Sequence, residues 1–502
     1  MKSKFFVFSF LFFIAAGIQP AASLDLDWSG QFRGESAWFP NYTADSDGSP
    51  FRDATREAAN GYYIPAAGSK KANFQTVFLR LTPKVIVNDN VTLKTELWLG
   101  NPITGFYGSA YPGSTRTDQR FFNSNFSQGS SVTAQRFWGE FTSDFGVLVV
   151  GRAPLHWGLG LVHHSGDAIF DRYQTTGDVI KLNAKFGNFS FIPSTTKYDF
   201  GNAVGGVFST AAPTSRAGGM GLSEYSIALK YENAEEDMEG GVNFVRRIAG
   251  AQNQTPWING QSGGMAHSIW DIYGKKKAGK FKIGFEAPIF SGNIVGIPYK
   301  AFALAGEVEY QASEAWSFNV KGGKVPGQPN SGNATTTKWN MVYFHPNYRL
   351  GLIMFNYQLR RFAGPNNVNP QGTTAPSTVE SIYDNPITNA NYINVGGAYT
   401  TDKWRFGLNF ITASADETAQ SGRFFFNTWN RAYHSSAATK NQGTGLGSEI
   451  DLDIAMQWDE MTHFGLGMGY FMPGSFYAFS NSTADNKTNA VFATVFRVGV
   501  QF

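Results

Sequence analysis

Apolar and polar residues alternate with a period of two along most of this chain. The last stretch shows it most cleanly. Between Asn489 and Phe502, the residues Phe492, Phe496, Val498, Val500 and Phe502 fall on even positions, and Arg497, Gly499 and Gln501 on odd ones. Successive side chains of an extended strand point to opposite faces, so this stretch is a strand with one apolar and one mixed face. Near the other end, Leu24, Leu26, Trp28, Phe32 and Trp38 oppose Asp25, Asp27, Gln31, Arg33 and Glu35. Val77, Leu79, Leu81, Val85 and Val87 oppose Arg80, Thr82 and Lys84, and Trp404, Phe406, Leu408 and Phe410 oppose Lys403, Arg405 and Asn409. Ile450, Leu452, Ile454, Met456 and Trp458 oppose Glu449, Asp451, Asp453 and Gln457. A dry core buries three carboxylates on one face only at high cost, whereas a water-filled interior accommodates them.

The connections alternate as well. Short turns stand at Asn88-Asp89-Asn90, Ser143-Asp144, Gly187-Asn188, Glu235-Glu236-Asp237, Lys276 to Gly279, Ser313-Glu314, Thr401-Asp402 and Asp459-Glu460. Between them run long stretches rich in Gly, Ser, Asn, Thr and Pro, such as Asn101 to Ser131, Ala153 to Asp178, Ser194 to Leu222, Lys324 to Thr337, Gly364 to Ala390 and Ser414 to Gly447. Short turns at one end and long loops at the other are the asymmetry of a transmembrane β-barrel. The expected fold is therefore all-β, a single antiparallel transmembrane barrel of about twenty strands, with eighteen as the second count. Twenty requires Trp339 to Phe344 and Arg349 to Gln358 to form a hairpin turning at His345-Pro346-Asn347. Two stretches fit the alternation poorly, Val147 to Arg152 and Arg349 to Leu359, because both of their faces are apolar. Opposite Phe464, Leu466, Met468 and Tyr470 stand Gly465, Gly467 and Gly469, which predicts something packed closely against the inner wall there.

Composition agrees with this picture. Aromatic residues make up 16% of the 502, there are 56 glycines, and no apolar run beyond the N-terminus is long enough for a membrane helix. The chain opens with Met1-Lys-Ser-Lys4, an apolar block from Phe5 to Ala16, and small residues from Ala21 to Ser23. That order describes a secretory signal peptide, so residues 1–23 are expected to be removed and 24–502 to form the barrel. With no cysteine, the chain has no disulfide, thiolate metal site or lipidated N-terminal cysteine. A net charge of +3 gives no reason to expect nucleic acid as a partner.

The terminal strand ending in Phe502 resembles the closing strand of bacterial outer-membrane barrels. That likeness implies that it pairs with the first strand and is read by the assembly machinery. A second motif is Gly151-Arg152-Ala153-Pro154-Leu155-His156-Trp157-Gly158-Leu159-Gly160, followed by His163, His164, Asp167, Asp171 and Arg172. It is similar to large outer-membrane barrels of the porin and polysaccharide-export (alginate-export-like) type, where a Gly-Arg strand end leads into a loop that folds into the barrel. The resemblance implies a bacterial outer-membrane location, with outer-membrane lipid and lipopolysaccharide as surroundings.

On this reading Ala153 to Asp178 dips into the barrel. Its Trp157, Leu159, Leu161, Val162, Ile169 and Phe170 are too apolar for a loop in water. The expected pore-lining or constriction residues are Arg33, Arg80, Arg136, Arg152, His156, Asp167, Arg405, Asp451 and Asp453. A structural loop braced by an Arg–Asp pair is the plainer alternative. His156, His163 and His164 with Asp167 and Asp171 match no metal-ligand spacing, and no Gly-x-Ser-x-Gly elbow accompanies the histidines. No catalytic residue, metal or cofactor is therefore expected. The favoured function is passive diffusion of small hydrophilic solutes, and mixed charge signs argue against strong ion selectivity. A dedicated exporter or importer of a sugar or polyanionic polymer is the alternative, and a structural or adhesive surface protein a third. A homo-oligomer stays open.

Overall fold

The computed structural model describes residues 25–41, 72–100, 132–198, 222–249, 257–258, 261–262, 264–334, 337–357, 385–427, 432–436, 440–479 and 488–502. The expected signal peptide lies outside them. Eighteen strands form one antiparallel sheet that closes on itself. In chain order, the first nine are β1 (Asp25–Asn41), β2 (Ala72–Asn88), β3 (Val91–Leu99), β4 (Val132–Ser143), β5 (Gly146–Pro154), β6 (Thr176–Phe186), β7 (Phe189–Tyr198), β8 (Leu222–Asn233) and β9 (Met238–Ala249). Then come β10 (Met265–Ala278), β11 (Phe281–Ile294) and β12, which runs as Ile297–Phe302 and, after a break at Ala303, Leu304–Gln311. The last six are β13 (Trp316–Val325), β14 (Ala390–Thr400), β15 (Trp404–Ser414), β16 (Gly445–Gln457), β17 (Thr462–Pro473) and β18 (Val491–Gln501).

Closure is made by β1, which pairs with β2 on one side and with β18 on the other, in the register Gln31↔Gln501 and Glu35↔Arg497. The alternation sorts the residues as expected. Leu26, Trp28, Trp270, Phe302, Phe406, Leu408, Ile450 and Phe496 are exposed on the outside, while Arg33, Arg80, Arg136, Glu224, Glu286 and Glu449 are buried inside. An apolar exterior and a charged interior invert the arrangement of a soluble protein and suit a barrel in lipid. Each ladder satisfies the backbone groups that lipid could not.

The strand count is eighteen because residues 337–357 form no strand pair of the barrel. Their apolar side chains, among them Met341, Phe344, Leu352, Ile353 and Tyr357, are buried in a cluster with the wall residues Ala37, Val245, Ile269 and Val495. A segment surrounded by protein on all sides is apolar all round, which explains why neither face of Arg349 to Tyr357 stands out as polar; Gln358 and Leu359 lie outside the described residues. Val147 to Arg152 is a true strand. It looks two-sided because its inner Val149 packs with Ala153 and Val179 beneath Trp138 and Leu155. One connection on the long-loop side is short: Val295-Gly296 turns β11 directly into β12.

Candidate functional site

Two segments fold back from the long-loop side into the barrel, residues 155–175 between β5 and β6, and residues 337–357 between β13 and β14. The first is closed at its neck by Leu155 N donating to the Thr175 carbonyl (2.9 Å) and Thr175 N donating to that of His164 (2.7 Å). Gly160, at φ +84°, lets the chain reverse after Trp157, whose carbonyl accepts its N–H at 2.9 Å.

The wall holds this segment from two sides. On the β1–β4 side, arginines donate to its carbonyls: Arg33 to Ile169 (2.8 Å) and Asp171 (2.6 Å), and Arg80 to Gly166 (2.7 Å). Arg136 spans wall and segment, reaching Glu96 at 2.8 Å, Asp167 at 2.7 Å and the Ser165 carbonyl. Arg172 of the segment returns the bond, donating to Glu35 of β1 at 2.5 Å. On the β8–β11 side the roles reverse and carboxylates accept. Glu286 takes the N–H groups of Leu159 and, at 3.2 Å, Leu161. Glu224 pairs with His163 at 3.0 Å and with Arg247 at 2.8 Å, and the Trp157 indole N–H donates to the Asp271 carbonyl at 3.2 Å. Backbone groups taken out of water thus find charged partners, which are stronger than neutral ones.

The second segment is seated on β14 and β16. Glu449 accepts the N–H groups of Ile353 (2.7 Å) and Met354 (2.5 Å), Asp451 accepts that of Leu352 (2.9 Å), and Asn394 donates to the Leu350 carbonyl (2.8 Å). The inner glycines of β17 mark its seat. A Cβ on Gly467 would stand 3.3 Å from Leu352, and one on Gly469 3.1 Å from Ile353. The close packing predicted opposite the outer residues of this strand is therefore made at Gly467 and Gly469 by Leu352 and Ile353, while Gly465 faces Arg497 of β18 instead.

Asn347 joins the two segments. Its side-chain oxygen accepts from Tyr173 N (3.1 Å) and Arg172 N (3.3 Å), and its amide donates to the Tyr173 carbonyl (2.6 Å). Around it the imidazoles of His164 and His345 stack at 5.2 Å, with His156 edge-on to His164 at 5.2 Å. Each ring uses Nδ1 to accept a main-chain N–H: His156 from Ser165 (3.4 Å), His164 from Gly166 (3.0 Å) and His345 from Asn347 (3.2 Å). These bonds require the neutral ring. Burial, and then the neighbouring His164, lower His156 to about 4. Burial likewise lowers His164, and burial followed by His164 takes His345 well below the usual range.

Of the residues expected at a constriction, Arg33, Arg80, Arg136 and Asp167 come together on the β1–β4 side of the first segment. His156 lies at the joint, and Asp451 under the second segment. Arg405 and Asp453 pair at 3.6 Å in the strand halves next to the short turns. Arg152 is placed differently. It shares a face with Val150 and is paired across the ladder with Phe137 and Asp178, on the side where Phe137, Val150 and Ile180 are exposed. Its guanidinium meets Asp178 at 2.8 Å, so this pair sits on the outer face. Glu449 and Asp451, expected in open water, are instead covered by backbone amides. Glu224, Glu286, His345 and Asn347 are the participants that the motif did not identify. Among the described residues, no three His, Asp or Glu side chains are grouped to hold a metal ion.

Neither a protein-family profile nor a curated protein sequence matches the chain. Among solved structures the barrel is similar to a BenF-like porin from Pseudomonas fluorescens Pf-5, with a TM-score of 0.51 and 11% identity over 95% of this chain and 98% of that one. Pseudomonas aeruginosa OccK9 (OpdG) gives 0.49 and 12% over 95% and 99%. The outer membrane channel DcaP of Acinetobacter baumannii gives 0.43 and 11% over 97% and 99%. The first likeness supports the fold described above, a single closed antiparallel transmembrane β-barrel. The narrower resemblance to alginate-export-like proteins finds no support in these structures.

Proposed function

We propose that the protein is an outer-membrane channel for passive diffusion of small hydrophilic solutes. The two inserted segments set its narrowest level, near Arg33, Arg80, Arg136, His156, Asp167 and Asp451. The observation that supports this is the lumen wall beyond the segments, in the strand halves next to the short turns. There Lys94–Glu140 (2.8 Å) and Arg405–Asp453 (3.6 Å) face inward and are partly exposed, and Lys275–Glu239 (3.0 Å) and Lys321–Glu307 (3.0 Å) carry the same lining up to the segments, Lys321 under the Tyr348 ring. Paired charges of both signs line a wet vestibule and present no single-sign barrier, so the channel discriminates weakly between cations and anions. A polymer exporter is the less favoured reading, because the apolar cluster between the segments would have to part widely for a chain to pass.

Single-channel conductance in bilayers tests the proposal with a variant lacking Leu155 to Phe170, its fold checked by heat-modifiable migration. A clear rise over the parent is expected. An unchanged conductance overturns the assignment of the constriction, and no conductance in either protein overturns the channel itself.

A further inference from the structure

The strand register sorts the outer face into rows. One row runs Ile227–Phe244–Trp270–Ile289–Phe302 across β8 to β12. Phe244 and Trp270 lie ring to ring at 4.7 Å, and Ile227, Trp270, Ile289 and Phe302 are all exposed. This is an apolar and aromatic row of the kind found where hydrocarbon ends. Two residues nearer the long-loop rim, the next outward row runs Tyr225–Arg246–Ser268–Ser291–Lys300. It carries two cations and three hydroxyls, those of Tyr225, Ser268 and Ser291. Arg246 Nη1 donates to Ser268 Oγ at 3.1 Å, which holds the guanidinium along the wall. Among the described residues no carboxylate pairs with Arg246 or Lys300, whereas Arg152, outward on β5, is already matched by Asp178. The wall of β15 to β17 supplies a contrast. Above its row Phe410–Ile450–Tyr470 stands Thr412–Ser448–Met472, which is uncharged.

We propose that Arg246, Ser268, Ser291 and Lys300 form a docking surface for the phosphorylated headgroup of an outer-leaflet glycolipid. The inference is independent of the channel reading. Strands in a sheet stand about 4.8 Å apart, so the two cations are separated by roughly 14 Å, a headgroup's width, with the serines between them. Acyl chains of the same lipid would lie on the apolar row below, continuous with the lipid-facing belt. Guanidinium binds phosphate through two parallel hydrogen bonds, and the interface, drier than bulk water, strengthens the attraction. Charge complementarity selects this occupant over an uncharged lipid, which would leave both cations unmatched.

Native mass spectrometry of the folded barrel in detergent provides the test. The probes are a bis-phosphorylated glycolipid of the lipid A class, the same lipid with its phosphates removed, and inorganic phosphate. The proteins are the parent, the double variant R246Q/K300Q, and a control, K403Q, altered at a short turn on the opposite rim. Retention of the phosphorylated glycolipid by parent and control, weakened about tenfold or more in R246Q/K300Q, is expected. Equal retention of the dephosphorylated lipid by the parent overturns the proposal. So does retention unchanged in R246Q/K300Q, or inorganic phosphate binding as tightly as the lipid. The parent's own preference between the two lipids decides the matter should the double variant fold poorly.

Discussion

His156, His164 and His345 each offer Nδ1 to a main-chain N–H, and a protonated ring cannot do so. Asp171 lies 3.9 Å from His164 and favours its charged form, as does Asp167 for His156 and His164. Lys275 beside His156, Arg349 beside His164 and His345, and the rings themselves oppose it. The docked rings thus take up protons at lower pH than released ones, whose ordinary value is roughly 6.5. The sign follows from linkage. Stability of the docked segments is fully present above about pH 6.5 and is lost as pH falls toward 4, the value for His156. Hydrogen exchange, corrected for the intrinsic effect of pH, should show the amides of 156–171 and 345–352 losing protection over that range while the barrel ladders keep theirs. Asparagine at the three positions, which retains an acceptor but cannot titrate, should flatten the response. Protection that ignores pH in the parent would refute this account.

The seat of the second segment can be tested through β17. In Gly469→Val the new atoms enter space held by Ile353 and by Asp451 Oδ1, 2.9 Å from the position of a Cβ. Overpacking of this kind costs about 1–3 kcal/mol. Because the clash lies on the inner face, the loss should fall on residues 350–354 and leave the barrel's thermal transition nearly unchanged. Met468→Val, on the outer face, should leave residues 350–354 undisturbed. Equal effects of the two would show that the inner face is not distinguished by the segment. This seat was legible in the sequence as alternate glycines, of which Gly467 and Gly469 receive the segment, and so were the strands, the inward charges and the apolar excess of residues 155–170. What covers β17 was not legible. A segment enclosed by protein and a strand between lipid and a packed lumen are both apolar on two sides, so Trp339 to Gln358 fits a hairpin as well as an insert. The partners Glu286 and Glu449 were visible only as inward carboxylates, because a side chain that binds backbone amides leaves no complementary residue in the pattern. Arg152 stands on the outer face because, although the motif looks like a loop entrance, the residue still belongs to β5 and obeys its alternation.

At the scale of the whole molecule, closure rests on the seam between β1 and β18. Phe502 exchanges two backbone hydrogen bonds with Gly30, at 2.7 and 3.1 Å, and its ring lies over that glycine, where a Cβ would come within 2.6 Å of it. An aromatic ring covering a glycine on a sheet surface supplies the packing that the glycine lacks. Removing Phe502 should therefore lower the yield of heat-modifiable, closed barrel in the outer membrane. A truncated protein that assembles like the parent would show the seam to be indifferent to its last residue. The first inserted segment acts on the same ring of strands in another way. It is bonded to β1, β2 and β4 on one side and to β8 through β11 on the other, so it works as a crossbeam inside a hoop. A hollow hoop flattens under sideways load, and a braced one keeps its roundness. The element that narrows the passage would then also fix its shape against the lateral pressure of the bilayer, and a barrel that released its brace would become wider and softer at once.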